Sequence, residues 1–310
     1  MGYKLAGFRV LGGVEIDPQM MRIYRANHKP KHSYRMSVSD FWRMNKDELP
    51  TELFNLDVLD GSPPCSSFSM AGSRDKKWGQ KHKFREGQAN QVLDDLFFDF
   101  IEVARMLKPK VVIAENVKGL IIGKAKGYVR DIFRRFKDAG YDCQLFLLDA
   151  SRMGVPQKRE RTFFVARQSG TRMQPIGMSF GEPIISVKTA TRDLLIDCAK
   201  ISPGQAKFWA RTKPGRPLSD AHPRGQFWNH KKLHGDKPSN TLPARWNCLL
   251  HWEECRQITT REAMRIQTFP DDFDFLDADP GYVCGMSVPP RMMQRVAEQV
   301  GRQWLGWNND

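Results

Sequence analysis

Three short stretches carry side chains that can do chemistry. "DVLDGSPPCSSFSMAG" brings Cys65 out of an apolar run through a turn stiffened by Pro63 and Pro64, with Ser66, Ser67 and Ser69 beside it. A thiol so placed can act as a nucleophile once deprotonated, and a free cysteine, with a pKa of about 8.5, needs local help to ionise. The plain alternative is a buried cysteine in a proline-rich turn. "KVVIAENVKGL" ends a second apolar run in Glu115 and Asn116. A carboxyl there is a candidate acid, base or base-reading group, and equally a helix cap or a surface acid. "GVPQKRERTFFVA" sets Gln157, Arg159 and Arg161 at alternating positions ahead of a third run. Period two sends all three to one side, where they suit a phosphate, a base edge or a carboxylate, or guard an edge strand with charge.

These residues need elements to hold them. "FRVLGGVEID", "LFNLDVLDGS", "KVVIAENV", "CQLFLLDA" and "RTFFVAR" read as short buried strands. The first ends in acids, which is where α/β folds hold the ribose of a nucleotide. Between the strands, "NQVLDDLFFDFIEVARML" and "GYVRDIFRRFKDAG" space their apolar residues near 3.6, the second stopping at Gly140. Strand and helix alternate to about residue 167, which predicts a parallel sheet covered on both faces. Residues 168–245 then lose any clear period. A helical pattern returns at "TTREAMRIQTF", where Thr259 or Thr260 forms a capping box with Glu262, and at "PPRMMQRVAEQVGRQWL", which starts on Pro289 and Pro290. The expected layout is a catalytic α/β domain over 1–167, a basic irregular region over 168–245, and C-terminal helices over 246–310 that return to the first domain.

Composition narrows the partners. The 310 residues carry 49 Lys and Arg against 35 Asp and Glu, a formal charge of +14. Residues 167–245 hold 14 of the basic residues and five of the acids, so a quarter of the chain supplies +9 of that surplus. A surplus of this size points to a polyanion, nucleic acid before an acidic membrane. A hydrophobic content of 40% fills a core and excludes a disordered chain. No apolar run approaches the ~18 residues of a membrane helix, and no signal peptide is visible at the N-terminus. The six cysteines form no C-x-x-C pair, and Cys248 and Cys255 are too widely spaced for a usual zinc knuckle, so no metal site is expected. Scattered thiols in such a chain suit a reducing cytoplasm.

Taken together and in order, the Pro-Pro-Cys, Glu-Asn-Val and Gln-x-Arg-x-Arg segments resemble the DNA (cytosine-5) methyltransferases. "LFFDFIEVARMLKP" is similar to that family's fifth motif, "RQITTREAMRIQTFPDDF" to its ninth, with "KPSNTLPARWN" just ahead, and "GMSVPPRMM" to its tenth. The resemblance runs from about Gly2 to Trp304. It implies a Rossmann-like α/β fold that binds S-adenosylmethionine, with a small irregular target-recognition domain at 168–245, acting on duplex DNA. It implies that Cys65 adds to cytosine C6, that Glu115 binds the N3 and amino edge, and that Arg159 and Arg161 contact the base O2 and the Cys65 loop. Asn116 and Val117 would hold the strand end in shape, and Ser67 and Gln157 would lie on the substrate side. For the cofactor it implies Glu15 on the ribose, Ile16 on the adenine, Pro64 and Leu96 in the pocket wall, and Ser287 near the methionine end.

The chain departs from that family's pattern in three places. The F-x-G-x-G motif that follows the family's first strand would lie ahead of Met1, so strand one is expected to be missing, or supplied by sequence upstream or by a second polypeptide. Met286 stands where the tenth motif usually has Asn. Ser37 stands for the third motif's Asp, or Asp40 serves in another register. These departures make a non-catalytic DNA-binding module the alternative to an enzyme, and a methyltransferase of RNA cytosine a third reading. Within the basic region, Arg211, Arg216, Arg224 and Asn229 are the candidates for base and phosphate contacts. The stretch from Ser69 to Phe84, with Arg74, Lys76, Lys77, Trp78, Lys81 and Lys83, reads as a lid over a flipped base.

Overall fold

The computed structural model describes residues 1–63, 81–82, 91–92, 95–122, 126–194, 200–227, 229–244 and 248–307. In chain order the elements are α1 (Gly2–Leu5), β1 (Gly12–Val14), α2 (Pro18–His28), β2 (His32–Tyr34), α3 (Val38–Phe41), β3 (Val58–Gly61), β4 (Lys81–His82), β5 (Gln91–Val92), α4 (Leu96–Leu107), β6 (Val111–Val117), α5 (Lys126–Asp138), β7 (Tyr141–Asp149), β8 (Glu160–Gln168), α6 (Val187–Thr191), α7 (Pro203–Arg211), β9 (Lys231–Lys232), β10 (Leu249–Leu250), α8 (Thr260–Gln267), α9 (Pro280–Met286) and α10 (Pro290–Trp304). They divide into two compact units. A sheet unit takes 10–148, 160–178 and 298–310, and a second unit takes 1–9, 149–159 and 179–297.

The sheet unit is built on four strands in the order β3-β6-β8-β7. β3 runs parallel to β6, with Gly61 opposite Ala114, as the βαβ pattern predicts. β8 runs antiparallel to β6, so the sheet is mixed rather than parallel throughout. The reason lies in the connection. Only ten residues, 150–159, separate β7 from β8, and a parallel crossover takes a dozen or more. β1 and β2 pair in parallel as a sheet of their own, and among the described residues no strand joins it to β3.

The even positions of β6 and β8 (Val112, Ala114, Phe164 and Ala166) share one cluster with Phe97, Phe100, Ile101 and Ala104 of α4 and with Ile132 and Phe136 of α5. Full burial of each large side chain contributes about 1.5–3 kcal/mol, so this face anchors the unit. α4 begins at Leu96, later than its apolar period suggests, because Gln91 and Val92 pair with Lys81 and His82 as strands. It ends where Lys108 turns left-handed (φ 51) ahead of Pro109. α5 stops as expected, with Gly140 at φ +88.

In the second unit, Val187, Leu233, Leu242, Leu249, Trp252, Ile258, Ala263 and Ile266 form one core. α8 settles the cap in favour of Thr259, whose hydroxyl accepts from the Glu262 amide while Glu262 accepts from the Thr259 amide at 2.7 Å. Arg256 then clamps the same carboxylate through both terminal nitrogens at 2.8 and 3.0 Å. α6 and α7, of five and nine residues, escape periodicity because each is too short to repeat it. The Ser202–Gln205 capping box around Pro203 was the local signal for α7.

Candidate active site

The site in the sheet unit starts from the C-terminal ends of two parallel strands, where open α/β sheets hold their ligands. β3 delivers the chain to Gly61, which lies against Phe100 so closely that a Cβ would overlap the ring. The chain is described as far as Pro63, the first residue of the Pro-Pro-Cys turn, and its carbonyl accepts from Asn116 Nδ2 at 2.9 Å. Asn116 is 5% exposed. Its Oδ1 accepts from the Val117 amide at 2.8 Å, and its carbonyl accepts from Thr162 Oγ1 at 2.9 Å. Both ends of the amide are therefore used, and Asn116 ties the exit of β3 to the end of β6. Thr162 was not singled out in the sequence; a threonine between Arg161 and Phe163 reads there only as a strand former.

Glu115 and Arg161 lie on the opposite face of the sheet from the α4–α5 cluster. The register sets Val117 opposite Arg161 and Glu115 opposite Phe163, so acid and arginine are diagonal neighbours across the ladder. Arg161 Nε meets Glu115 Oε1 at 3.0 Å, with side chains only 15% and 9% exposed. Arg161 Nη1 also donates to the Glu160 carbonyl at 2.9 Å. Burial lowers the guanidinium pKa, and Glu115 opposes that shift. The result is an oriented carboxyl group, largely shielded from solvent, that can accept from an amino group and, when protonated, donate to a ring nitrogen.

Gln157 and Arg159 share parity with Arg161 but not its partner, and both belong to the second unit. Gln157 is fully buried, and Arg159 is 1% exposed. Gln157 bonds to Gln267 and to the Leu242 amide, while Arg159 donates to the carbonyls of Leu242, Gly285 and Ser287. Gln267 also went unnoticed in the sequence, although helical spacing puts it on the buried face with Ala263 and Met264.

Of the cofactor candidates in the sheet unit, Glu15 follows β1 and keeps its ladder, its amide donating to the Tyr34 carbonyl. Glu15 Oε1 accepts from the Asp17 amide at 2.7 Å. The cap of α2 is Asp17 and not Glu15, since Asp17 Oδ1 accepts from Gln19 and Met20. Burial first, then the neighbouring Asp17 charge, raises the Glu15 carboxyl above its ordinary range, against the pull of main-chain amides. A half-buried acceptor not used for capping fits a pair of ribose hydroxyls. Ile16 is half-buried next to it, and Leu96 is buried. Ser37 caps α3, and its hydroxyl donates to Asp40 at 2.6 Å. In the second unit Met286 is 46% exposed, and Ser287 donates its hydroxyl to the Val283 carbonyl.

Arg211, Arg216, Arg224 and Asn229 are all exposed in the second unit; Arg216 pairs with Asp220 at 2.6 Å, and Asn229 bonds to His230. Cys65, Pro64 and Ser67 lie outside the described residues, as does the stretch read as a lid except for the two residues of β4. Among the described residues no helix is long and apolar enough to cross a membrane.

Comparison with known proteins identifies the family. The model of the family described as C-5 cytosine-specific DNA methylase matches residues 1–195 and 199–302. The Type II methyltransferase M1.HphI of Haemophilus parahaemolyticus is 29% identical, over 97% of this chain and 82% of the relative. M.NgoPII of Neisseria gonorrhoeae, also a Type II methyltransferase, is 26% identical over 97% and 91%. Among solved structures, a chain described as a prophage-encoded DNA modification methyltransferase of E. coli superposes with a TM-score of 0.76 at 21% identity, covering 97% of this chain and 94% of its own. The S. pombe Dnmt2 methyltransferase gives 0.64 at 16% identity, over 99% and 95%. These two likenesses carry the fold, and the family match carries the membership: this chain belongs to the C-5 cytosine-specific DNA methylases.

Proposed function

We propose that this methyltransferase modifies C5 of cytosine in duplex DNA through a covalent bond between Cys65 and the base. The observation that carries the reading is the pairing of Glu115 with Arg161 at the end of β6, next to Asn116, which fastens Pro63 two residues ahead of Cys65. S-adenosylmethionine supplies an electrophilic methyl group, and we assign to it Glu15, Ile16, Ser37 and Leu96 from the sheet unit and, separately, Met286 and Ser287 from the second unit. Cytosine C5 is a poor nucleophile. Addition of the Cys65 thiolate to C6 forms the S–C6 bond and moves the C5–C6 π pair to C5. Glu115 accepts from the 4-amino group and, entering the step protonated, gives its proton to N3 as that charge develops, while Arg161 holds the carboxylate left behind until the proton returns. C5 takes the methyl group as its bond to the sulfonium breaks, displacing S-adenosylhomocysteine, a base removes the C5 proton, and the returning electron pair expels the thiolate.

The reacting base is inside a duplex and is flipped out, at a cost of a few kcal/mol in stacking. Phosphate contacts from a chain of charge +14 offset it and make binding strongly salt-dependent. We assign target recognition to 168–245, with Arg211, Arg216, Arg224 and Asn229 as the first side chains to test, and we place the protein in the cytoplasm, at the nucleoid if its host is prokaryotic. Arg159 and Gln157, expected beside the base, are assigned instead to holding main chain.

Duplexes containing 5-fluorocytosine test the chemistry, because fluorine at C5 cannot leave as a proton does and the adduct accumulates. A denaturant-resistant protein–DNA complex that needs S-adenosylmethionine and vanishes in Cys65→Ser is the expected result. Absence of that complex, with no methylated cytosine in cellular DNA by bisulfite sequencing, overturns the reading; competition by structured RNA in place of duplex DNA overturns the choice of substrate.

A further inference from the structure

A buried polar relay in the second unit takes no direct part in the chemistry above. The Leu242 amide donates to Gln157 Oε1 at 3.0 Å, Gln157 Nε2 donates to Gln267 Oε1 at 2.5 Å, and Gln267 Nε2 donates to the Ser287 carbonyl at 2.8 Å. Arg159 brackets both ends, giving Nη1 to the Leu242 carbonyl at 3.3 Å and Nη2 to the carbonyls of Gly285 and Ser287 at 2.8 and 2.9 Å. The two glutamines are fully buried. Covalent structure fixes the direction of the relay: a main-chain amide only donates, and a carbonyl only accepts. The orientation of both side-chain amides follows from those ends rather than from a choice between O and N. A carboxylate at either position cannot donate, and a cation cannot accept. The two segments joined are also in direct contact, since a Cβ on Gly285 would overlap the Pro243 carbonyl and reach Ala244 Cα at 2.5 Å.

We propose that Gln267 is a positioning residue for the cofactor: through this relay it fixes the Ser287 turn between α9 and α10 and so sets the affinity for the amino-acid end of S-adenosylmethionine. The proposal rests on the assignment of Ser287 to the cofactor. Gln267 touches only other protein groups, and its effect passes through the Ser287 carbonyl.

The polarity of the relay gives a readout that loss of packing does not. In Gln267→Glu the ionised side chain sets an acceptor against the Ser287 carbonyl, whereas the protonated acid donates to it again. Burial raises the pKa of such a carboxyl and the Arg159 guanidinium, which shares the Ser287 carbonyl, lowers it, so the pH at which donation returns is found by titrating the variant downward from pH 8. Binding of S-adenosylmethionine without DNA, measured by titration calorimetry as the ratio of variant to wild-type Kd, is expected to be about tenfold at pH 8 and to return to within about twofold as the carboxyl protonates. Gln267→Met, which keeps the volume and neither accepts nor donates like an amide, is expected to stay about tenfold weaker across the same titration. If Gln267→Glu does not fold at pH 8, Gln157→Glu serves in its place, because it still accepts from Leu242 but donates to Gln267 only when protonated. Variants that bind as wild type does, with a lowered Tm alone, sink the proposal and leave the function intact. A wild-type protein that binds no S-adenosylmethionine removes the Ser287 assignment, and the proposal falls with it.

Discussion

Replacing Glu115 by Gln keeps the shape of the side chain and removes its charge, leaving Arg161 without an ion-pair partner among the described residues. The pair is neither fully buried nor exposed, at 9% and 15% of side-chain area. Removing one member of a buried pair costs about 3–5 kcal/mol, and exposed pairs are worth about 0–1. A loss of about 3 kcal/mol is expected here. The sheet unit has about 170 residues, which at ~2.1 cal/mol/K per residue gives an unfolding entropy near ~0.36 kcal/mol/K and a fall in Tm of about 8 °C. Arg161→Met on top of Glu115→Gln removes the stranded charge and should restore about 2 kcal/mol of that loss. Denaturant titration of the wild type, both single variants and the double variant closes the cycle. The 5-fluorocytosine adduct, scored alongside, should disappear in Glu115→Gln even where the fold is retained. Single-variant losses that add within about 0.5 kcal/mol would refute the coupling drawn from the 3.0 Å contact.

Asn116→Ala frees the Pro63 carbonyl and the Val117 amide, so adduct formation should slow by at least about tenfold for a stability loss of about 1–3 kcal/mol; an unchanged rate by rapid quench argues against the anchor. Because burial raises the Glu15 pKa, affinity for S-adenosylmethionine should weaken as pH falls through a value above that of an ordinary glutamate, and Glu15→Gln should flatten the profile in calorimetry. The sign for stability is the reverse: the native state favours protonated Glu15, so its contribution is present at low pH and lost as pH rises, and Glu15→Gln should melt higher than wild type at pH 7.5 but not near pH 4. His251 accepts from the Glu253 and Glu254 amides at Nδ1, and burial, with the Arg256 charge, lowers its pKa against the pull of Glu262, Glu254 and Glu253. Its contribution is therefore full above pH ~6.5 and lost as pH falls below it, so denaturant midpoints should drop between pH 7.5 and 5.5 less steeply in His251→Gln than in wild type.

The strand–helix alternation was legible because β6 is buried on both faces and reads as an unbroken apolar run, and because α4 and α5 keep a 3.6 period over three turns or more. The direction of β8 was not, since apolar runs carry no polarity; only the ten-residue connection from β7 carries it. At the site, the spacing of Glu115 and Arg161 named the residues but not their diagonal contact, which depends on a register set by long-range pairing. Alternation alone grouped Gln157 and Arg159 with Arg161, because parity says which side a residue faces and nothing about which segment it meets. Their partners, Leu242, Gln267 and Ser287, lie 83 to 128 residues away in sequence.

The antiparallel ladder between β6 and β8 has a consequence for how such a sequence can vary. Glu115 and Arg161 are indexed to each other by hydrogen-bonded rungs, not by the loops on either side. Insertions outside the two strands can accumulate without moving the acid from the arginine. A single deletion at Thr162 shifts every later side chain of β8 to the other face, taking Phe164 and Ala166 out of the α4–α5 cluster and turning Phe163, Val165 and Arg167 toward it, so that differently shaped side chains and a charge meet a close-packed core. Length variation should therefore be abundant around this pair and absent within its rungs.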